Sequence, residues 1–432
     1  MPRVYSRPAP IEGILLEHID EAAFLQNCRT RVFIDPERSW VDLGDFERRM
    51  FPHLHGLVLG GSVSAGLLKE KLTLDDDGDP GEAFVAATLY PTLDLVEPMQ
   101  WLKEAMAQEP PHLTALIDGL KLTRGTGIDG WLEDFLEHEA SGIQAVGAEV
   151  IGYRGLSSMK EKLVRLQSDP VPRVSLEAMA SLDAMGSPCS RDALLPHVSA
   201  PEPSVRVKAI ELLLRIGDRD AVALCRENCA FSGAEVNRRF VYYLAVAGTI
   251  DDMGILCDVM RKQPEILHSC LLALGLCGNI EAVDLLIACL DRIDDPDEYI
   301  AAYQGLRMIT GMDLIPQFDL SEAEPVEIQS FRDAWREWWE RNRNRFSREE
   351  KWRGGERISP AVLHRDAMRS GNPCRDMVDL EMVVRYRCPE RFRHDHFQEV
   401  QARQLQAVGQ WAGRENGKFQ PGLSYFHALP ST

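Results

Sequence analysis

The sequence lacks the features that mark membrane and secreted proteins. None of its apolar runs approaches the ~18 residues that a membrane-spanning helix needs, and residues 1–7 contain no apolar stretch of the signal-peptide kind. Ten cysteines are present, but no Cys-x-x-Cys pair occurs. Four of these cysteines lie in apolar helical runs, where a free thiol behaves as a small apolar group. We therefore expect a cytoplasmic protein without a disulfide framework.

Positive charge is also scarce. The 432 residues include 48 basic and 67 acidic side chains, which gives a net charge of -19 at pH 7. A general nucleic-acid binder or a protein of anionic membranes needs a basic surface. We therefore expect neither nucleic acid nor a membrane as a partner. The charge balance suits a protein partner with basic patches, and 45% apolar residues suffice for a large core.

Recognisable catalytic and metal-binding motifs are few. There is no Walker-type phosphate loop and no Gly-x-Ser-x-Gly nucleophile elbow. His53 and His55 could be two metal ligands, but they would point apart on a helix. We therefore interpret them as a helix start. Cys225 and Cys229 share a helical face, but no further His or Cys that could bind a metal with them lies nearby in sequence. We therefore interpret them as core residues. The acidic run 75–80 lacks EF-hand spacing and indicates a solvated turn at a helix start. We expect no catalytic residue, no cofactor, and no stoichiometric zinc, iron or calcium.

What the sequence contains is a repeat in its middle. An apolar stretch followed by glycine recurs six times, and the glycines are 30 to 34 residues apart. The recurring glycines are Gly152, Gly186, Gly217, Gly248, Gly278 and Gly311. In one copy, Pro203 can begin a helix, Gly217 can end it in the left-handed conformation, and residues 218–220 turn the chain into a second helix. A single helical pair cannot bury its apolar stripe, so neighbouring pairs must stack.

The repeat predicts an all-α fold, a superhelical solenoid of short HEAT-like helical hairpins. Two weaker copies, 83–92 and 113–120, extend the array towards the N-terminus. The predicted organisation has three parts. They are an N-terminal helical region over 1–79, a repeat array over 80–315 and a Trp/Arg-rich helical region over 316–432.

Apolar stripes at helical spacing support each hairpin. The first helix chosen as an example carries Val205, Ala209, Leu212, Leu213 and Ile216. The last copy carries one stripe at Ala282, Leu285, Leu286 and Leu290 and another at Tyr299, Ala302, Tyr303 and Leu306, joined by a turn at 294–297.

The C-terminal region holds the most distinctive candidate site. Its aromatic and basic residues are Trp335, Trp338, Trp339, Arg341, Arg343 and Arg345. Between 341 and 353 there are six basic and two acidic residues, which reverses the global charge. This mixture could bind phosphate or single-stranded nucleic acid. We favour a second interpretation, in which the tryptophans cap the exposed end of the solenoid and the arginines pair with its acidic turns. A partner-binding role for the same residues is the alternative that a Trp338→Ala variant distinguishes.

Four stretches carry a family resemblance. They are LEHIDEAAFL at 16–25, FERRMFPHLHGL at 46–57, WREWWERNRNRF at 335–346 and QARQL at 401–405. Together they resemble an uncharacterised family of bacterial HEAT-repeat proteins, whose members often lie in type VI secretion gene clusters. His55 departs from the acidic residue expected after His-Leu in that family. The resemblance implies the solenoid fold and a partner that is a type VI secretion component or cargo, but no activity and no site residues.

We therefore expect a non-catalytic protein-binding scaffold or adaptor that acts through the groove of the solenoid. Two other classes remain open. One is an enzyme with a groove site, either a lyase or a metal-dependent hydroxylase. Hydroxylases of this architecture need several His-Glu pairs, and this chain has one, His138-Glu139, which we interpret as a surface helix position. The other class is an immunity protein that neutralises a toxin. His394 and His396 are interpreted as a polar loop.

Overall fold

The protein is helical throughout the part of the chain that the structure describes. The computed structural model describes residues 10–33, 38–125, 127–187, 189–229, 234–291, 295–316, 323–369 and 372–431. These residues form 22 α-helices, several short 3-10 turns and two small β-ribbons, which confirms the all-α fold class. Within these ranges, no helix is long and apolar enough to cross a membrane. The N-terminal residues 1–7 and Asp294 of the expected turn lie outside the described residues.

The chain divides into two compact units. The first comprises Met1–Cys189 together with Asp395–Val400, and the second comprises Ser190–His394 together with Gln401–Thr432. The sequence analysis divides the chain into three regions by the extent of the repeat and not by contacts between residues. That three-part division stays a prediction.

The first unit is a row of helical hairpins. Its helices are α1 (Glu12–Arg31), α2 (Leu43–Gly60), α3 (Ser62–Lys71), α4 (Pro80–Leu93), α5 (Val96–Met106), α6 (Leu113–Leu122), α7 (Ile128–Leu136), α8 (Ser141–Arg154), α9 (Lys160–Leu166) and α10 (Pro172–Ala184). Helix α4 packs on α6, α6 on α8 and α8 on α10. Helix α7 packs beside α8, α9 beside α10, and α1 packs on α2 and α4. The two helices expected at 83–92 and 113–120 are α4 and α6.

The second unit repeats this arrangement. Its helices are α11 (Arg191–Leu194), α12 (Pro203–Ile216), α13 (Asp220–Cys229), α14 (Ala234–Ala247), α15 (Met253–Lys262), α16 (Leu267–Cys277), α17 (Glu281–Cys289), α18 (Pro296–Thr310), α19 (Pro325–Asn342), α20 (Pro360–Met368), α21 (Arg375–Tyr386) and α22 (Gln398–Glu415). Helices α12, α14, α16 and α18 form a row, and α13, α15 and α17 each pack on the helix that follows in sequence. Rows of stacked helical hairpins are the HEAT-like solenoid architecture expected from the repeat.

Two antiparallel ribbons complete the second unit. Strand β1 (Trp352–Arg353) pairs with β2 (Glu356–Arg357), with Trp352 opposite Arg357. Strand β3 (Tyr425–Phe426) pairs with β4 (Leu429–Pro430), with Tyr425 opposite Pro430.

Helix starts follow the sequence signals closely. The Asp79 carboxylate accepts a hydrogen bond from Gly81 N at 2.7 Å at the start of α4. At α18, the Asp295 carboxylate accepts from Asp297 N and Glu298 N. Such caps satisfy backbone donors that the first helical turn leaves unpaired. The acidic run 75–80 is therefore a turn leading into a helix, as expected.

Four of the six repeat glycines end helices in the left-handed conformation, as the sequence predicts. They are Gly186, Gly217, Gly278 and Gly311, with φ of 76°, 86°, 72° and 69°.

The other two repeat glycines differ. Gly152 lies inside α8, which continues to Arg154 and ends at Gly155 with φ 67°. A Cβ at Gly152 would lie 2.3 Å from Ser181 Oγ, so this glycine permits the close approach of α8 and α10. Gly248 follows α14 without adopting a positive φ. The expectation that Gly152 ends a helix is therefore wrong, and its physical role is close helix packing.

The apolar stripes are buried, but more broadly than expected. Along α12, four of the five expected stripe residues are buried, whereas Ile216 is only half-buried. Ile210 and Leu214, outside the stripe, are also buried. Cys225 and Cys229 are almost fully buried and free, which confirms their interpretation as core.

A short backbone segment crosses the ends of the helices in the second unit. Residues 351–355, here called the strap, run along the C-terminal ends of α14, α16 and α18. The strap donates hydrogen bonds to their last carbonyl groups, from Lys351 Nζ to Gly248 O at 3.1 Å, Trp352 N to Gly278 O at 2.8 Å, Gly354 N to Met308 O at 2.6 Å and Gly355 N to Ile309 O at 2.9 Å. The strap thus supplies donors to carbonyls that a helix terminus leaves unpaired.

A buried ionic network anchors the strap. Arg353 donates to Asp366 at 2.7 Å, to Glu381 at 3.1 Å and to the carbonyl of Leu276 at 2.8 Å. Arg385 donates to Glu381 at 2.7 Å. All four charged side chains are 3% exposed or less. Removing one partner from such a network leaves an uncompensated buried charge, which is strongly destabilising.

The strap predicts that alanine destabilises the protein more at Gly278 than at Gly186, although both glycines adopt the left-handed conformation. A Cβ at Gly278 would lie 2.5 Å from Trp352 O, whereas a Cβ at Gly186 meets nothing within 4 Å. We expect Gly186→Ala to lower the free energy of unfolding by about 1–2 kcal/mol, the cost of the left-handed conformation. Gly278→Ala should cost about 1–3 kcal/mol more, because overpacking against the strap is added. Denaturant unfolding of both variants measures this difference, and equal losses would show that the strap does not pack tightly on α16.

Candidate functional site

The tryptophan-rich segment forms the long helix α19. Pro325 occupies the first turn, and Glu324 and Glu327 form a reciprocal capping box. Trp335 and Trp339 are four residues apart, so they share one face. Trp335 is 0% exposed and Trp339 is 4% exposed, whereas Trp338 is only half-buried at the edge of that face. The shared face expected for all three tryptophans is therefore mainly that of Trp335 and Trp339.

This face packs on the last hairpin of the second unit. Phe331, on the same face, contacts the rings of Tyr299 and Tyr303 in α18 at centroid distances of 5.9 and 6.1 Å. Trp339 Nε1 donates to the Asp284 carboxylate of α17 at 2.8 Å. The buried face of α19 thus covers the end of the α12–α18 row, the position in which a terminal helix hides the last apolar surface.

The aromatic contacts continue beyond α19. Trp338 and Trp339 both lie against Phe346, which in turn contacts Trp352 of the strap at 4.7 Å between ring centroids. Edge-to-face pairs of this kind stabilise by roughly 0.5–1.5 kcal/mol beyond the area that they bury. The chain of rings links the capping helix to the strap.

The arginines that pair with the repeat are not those expected from the sequence. Arg332 and Arg336, on α19 itself, both pair with Asp291 in the turn after α17. Arg341 instead pairs with Glu337 of its own helix. Arg345 donates to Asn342 at 3.1 Å, and Arg343 makes no ion pair within the described chain. The basic residues nearest the tryptophans therefore remain exposed to solvent.

The reversal of charge between 341 and 353 is smaller than the sequence indicates. Lys351 and Arg353 are 0% and 1% exposed and are used inside the fold. Arg348 lies 3.7 Å from Glu281, a long exposed contact. Four of the six basic residues, Arg341, Arg343, Arg345 and Arg348, stay exposed, and Arg341 and Arg348 lie near the carboxylates of Glu337 and Glu281. The exposed positive charge of the segment without a carboxylate nearby is therefore that of Arg343 and Arg345.

An open groove lies between α17 and the end of α19. Its volume is about 540 Å³. The groove is lined by Ile280, Glu281, Asp284, Trp339, Arg343, Asn344, Phe346 and Arg348. It therefore combines two aromatic rings with guanidinium and carboxylate groups, and Arg343 is the expected site residue with the most open donors. Chemically, such a groove can bind a peptide segment, since it offers apolar contact and charges of both signs.

The first unit contains a charged cluster that the sequence analysis missed. Lys121 Nζ lies 2.8 Å from Glu149 and 3.6 Å from Asp118, and 5.3 Å from the centre of the Tyr153 ring. The Tyr153 hydroxyl donates to the Asp395 carboxylate at 3.3 Å. Asp118, Lys121, Glu149 and Tyr153 come from α6 and α8 at helical spacing, but Asp395 is separated by 242 residues from Tyr153, so no local pattern predicts its presence.

Burial and charge act in opposition in this cluster. Burial raises the pKa of Asp118, and Lys121 offsets only part of that rise. Burial lowers the pKa of Lys121, but Glu149 and Asp118 together raise it more, so the pKa lies above its usual value. Lys121 therefore stays charged at neutral pH and acts as a fixed cation between carboxylates.

Three histidine interpretations meet different outcomes. His53 and His55 both lie inside α2, which continues through Pro52, so the expected helix start is wrong. His138 lies in the turn between α7 and α8, where its Nδ1 accepts from Ala140 N at 3.0 Å. It therefore lies in the turn before α8, and the expected helix position is wrong. His394 and His396 lie in the irregular segment between α21 and α22, as expected.

Comparisons with known proteins give structural similarities but no family. No family model and no curated protein matches the chain. Among solved structures, the chain is similar to human deoxyhypusine hydroxylase in complex with glycerol, with 15% sequence identity. The match covers 68% of this chain and 97% of that chain, with a TM-score of 0.26. A similarity of this size establishes neither the fold nor an activity of the chain.

The burial of the tryptophans predicts unequal effects of substitution. We expect Trp335→Ala to lower the free energy of unfolding by roughly 3–5 kcal/mol, since a large buried ring is lost. Trp338→Ala should cost clearly less, because this ring is only half-buried. The indole N–H of Trp335 is buried without an acceptor among the described residues. Trp335→Phe should therefore cost much less than Trp335→Ala.

Thermal and denaturant unfolding of the three variants test this order. Circular dichroism at low temperature serves as the control that each variant folds. A Trp335→Ala protein as stable as the wild type would contradict the capping role of α19.

Proposed function

We propose that this protein is a non-catalytic, protein-binding scaffold or adaptor whose partner is held in the groove between α17 and the end of α19. The observation that carries the proposal is the makeup of this groove. Trp339 and Phe346 lie 5.5 Å apart between ring centroids, and Arg343 stands beside them in the groove lining. Tryptophan and arginine are enriched at the few positions that dominate protein interfaces.

The charges of the groove indicate the kind of surface that it fits. The Asp284 carboxylate already accepts a hydrogen bond from Trp339 Nε1. Arg343, in contrast, has no carboxylate partner within the described chain. A partner segment that places a carboxylate or a backbone carbonyl at Arg343 gains hydrogen bonds to a charged donor. Glu281, on the opposite side of the groove, suits a basic group of the same segment. This supports a polar partner segment of mixed charge.

The proposed class of partner follows from the family resemblance. If the chain belongs to the bacterial HEAT-repeat family that it resembles, its partner is a component or a cargo of a type VI secretion system. A cytoplasmic location belongs to the same proposal.

Two lysines bear on the alternative of an enzyme. An amine that acts as a nucleophile or a base needs a lowered pKa and access to substrate. Lys121 is accessible, with 13% of its side chain exposed, but its pKa is raised. Burial first, and Arg385 second, lower the pKa of Lys351 to about 8, but this side chain is 0% exposed. Neither lysine combines both properties, which supports binding rather than lysine-based catalysis.

A matched pair of arginine variants tests the proposal. Arg343→Glu should weaken partner binding by roughly 30-fold or more, the effect of about 2 kcal/mol at an interface hot spot. Arg341→Glu is the control, because Arg341 is also exposed but pairs with Glu337 and does not line the groove. Neither variant should change the melting temperature appreciably, since surface substitutions are usually near neutral.

The partner is first captured from the native host with the wild-type protein and identified by mass spectrometry. Its affinity is then measured with the purified wild type and both variants. Equal binding by Arg343→Glu and Arg341→Glu proteins would exclude the groove as the binding site.

A further inference from the structure

Two histidines from different helices meet in the first unit. His18 lies on α1 and His53 on α2, and their Nδ1 atoms are 3.0 Å apart. The two rings are nearly perpendicular, with centroids 5.1 Å apart and an angle of 75°. Both side chains are partly exposed, so solvent and small ions reach them. The two Nδ1 atoms therefore form a hydrogen bond with each other at a partly exposed place.

The backbone of α2 is shaped to accept the His18 ring. A Cβ at Gly56 would lie 2.6 Å from His18 Cδ2 and 2.7 Å from His18 Nε2, well inside contact distance. Gly56 is one helical turn after His53, so the ring of His18 is seated on the surface from which His53 projects. The seating fixes the position of the His18 imidazole relative to that of His53.

We propose that His18 and His53 form a binding site for a divalent transition-metal ion of the zinc class. A tetrahedral zinc ion with Zn–N bonds of about 2.0–2.1 Å holds two ligand nitrogens about 3.3–3.4 Å apart. The observed separation of 3.0 Å must increase by a few tenths of an ångström, and both rings must turn so that their Nδ1 lone pairs point at the ion rather than along the hydrogen bond. Without metal, one Nδ1–H donates to the other Nδ1. On metal binding, the donor ring moves that proton to Nε2, so no charge has to leave the site.

The donor set selects the type of metal. Imidazole nitrogen suits zinc, copper, nickel and cobalt, whereas calcium and magnesium prefer oxygen ligands. Glu21 follows His18 by one turn of α1 and is close enough to act electrostatically on His53. This carboxylate adds negative charge near His53, and the Arg49 guanidinium offsets part of it.

The site binds its metal reversibly and with open coordination positions. Within the described residues, no group of three or more His, Cys, Asp or Glu side chains is arranged to hold a metal. Two imidazoles leave the remaining positions of the ion to water. Such a site exchanges its metal during purification, which is compatible with the expectation that the isolated protein carries no stoichiometric zinc. The site lies in the first unit, whereas the groove beside α19 lies in the second, and the inference does not depend on the proposed function.

The test is a titration of the full, tag-free chain with Co²⁺ and Zn²⁺. Co²⁺ should give the visible absorption bands of a nitrogen-ligated ion in one equivalent, and Zn²⁺ should displace it. His18→Gln and His53→Gln should each weaken binding at least about tenfold. His55→Gln is the matched control, since His55 lies on the same helix and is exposed, and this variant should bind as the wild type does.

Two further measurements separate loss of the site from loss of folding. Zn²⁺ should raise the melting temperature of the wild type and of His55→Gln, because a ligand that binds only the folded state stabilises it. It should not raise the melting temperature of His18→Gln or His53→Gln. Gly56→Ala keeps both imidazoles but displaces the His18 ring, and it should also weaken binding. The proposal is overturned if the wild type binds no metal, if the bands are those of thiolate ligation, or if His55→Gln loses as much affinity as His53→Gln.

Discussion

The last carbonyl groups of the repeat helices depend on donors from elsewhere in the chain. A helix leaves its final carbonyls without intrahelical partners and carries partial negative charge at that end. In the second unit, the strap and Arg353 supply donors to the ends of α14, α16 and α18. In the first unit, Arg154 donates to Thr123 O at 2.6 Å and to Gly125 O at 3.1 Å, just beyond α6. In the second unit, the row of hairpins is therefore completed by cationic and backbone donors at its carbonyl edge, and the first unit shows one comparable contact beside the end of α6.

This constraint explains where an acidic protein places some of its positive charge. Lys351, Arg353 and Arg385 are buried in the second unit beside helix C-termini and beside the carboxylates of Asp366 and Glu381. Burying charges is costly unless they are paired and hydrogen-bonded. Here the helix ends and the two carboxylates provide both kinds of compensation. The basic segment that appears in the sequence as a surface feature is thus divided between an internal anchor and a few exposed arginines beside the groove.

The sequence predicts those parts of the fold that depend on local order. Apolar periodicity, helix-starting prolines and C-terminal glycines repeat every 30 to 34 residues, so the hairpins and most of their boundaries follow from short-range rules. The position of the strap does not follow from such rules, because Lys351 donates to a carbonyl group 103 residues away in sequence. The same holds for His427, whose ring lies 2.9 Å from the carbonyl oxygen of Arg215, 212 residues away. The same limit applies to the candidate sites. The aromatic face of α19 was evident, but the pairing of His18 with His53 joins two helices whose register no local pattern specifies.

The central claim is that the strap and its buried anchor hold the carbonyl edge of the α12–α18 row. Native-state hydrogen exchange of an Arg353→Met variant tests it most directly, because exchange resolves stability along the chain. The account predicts that the amide protons in the last turns of α14, α16 and α18 all lose protection together, while those of α4 and α6 in the first unit keep theirs. Loss of protection confined to the residues around position 353, with the three helix ends unchanged, would contradict it.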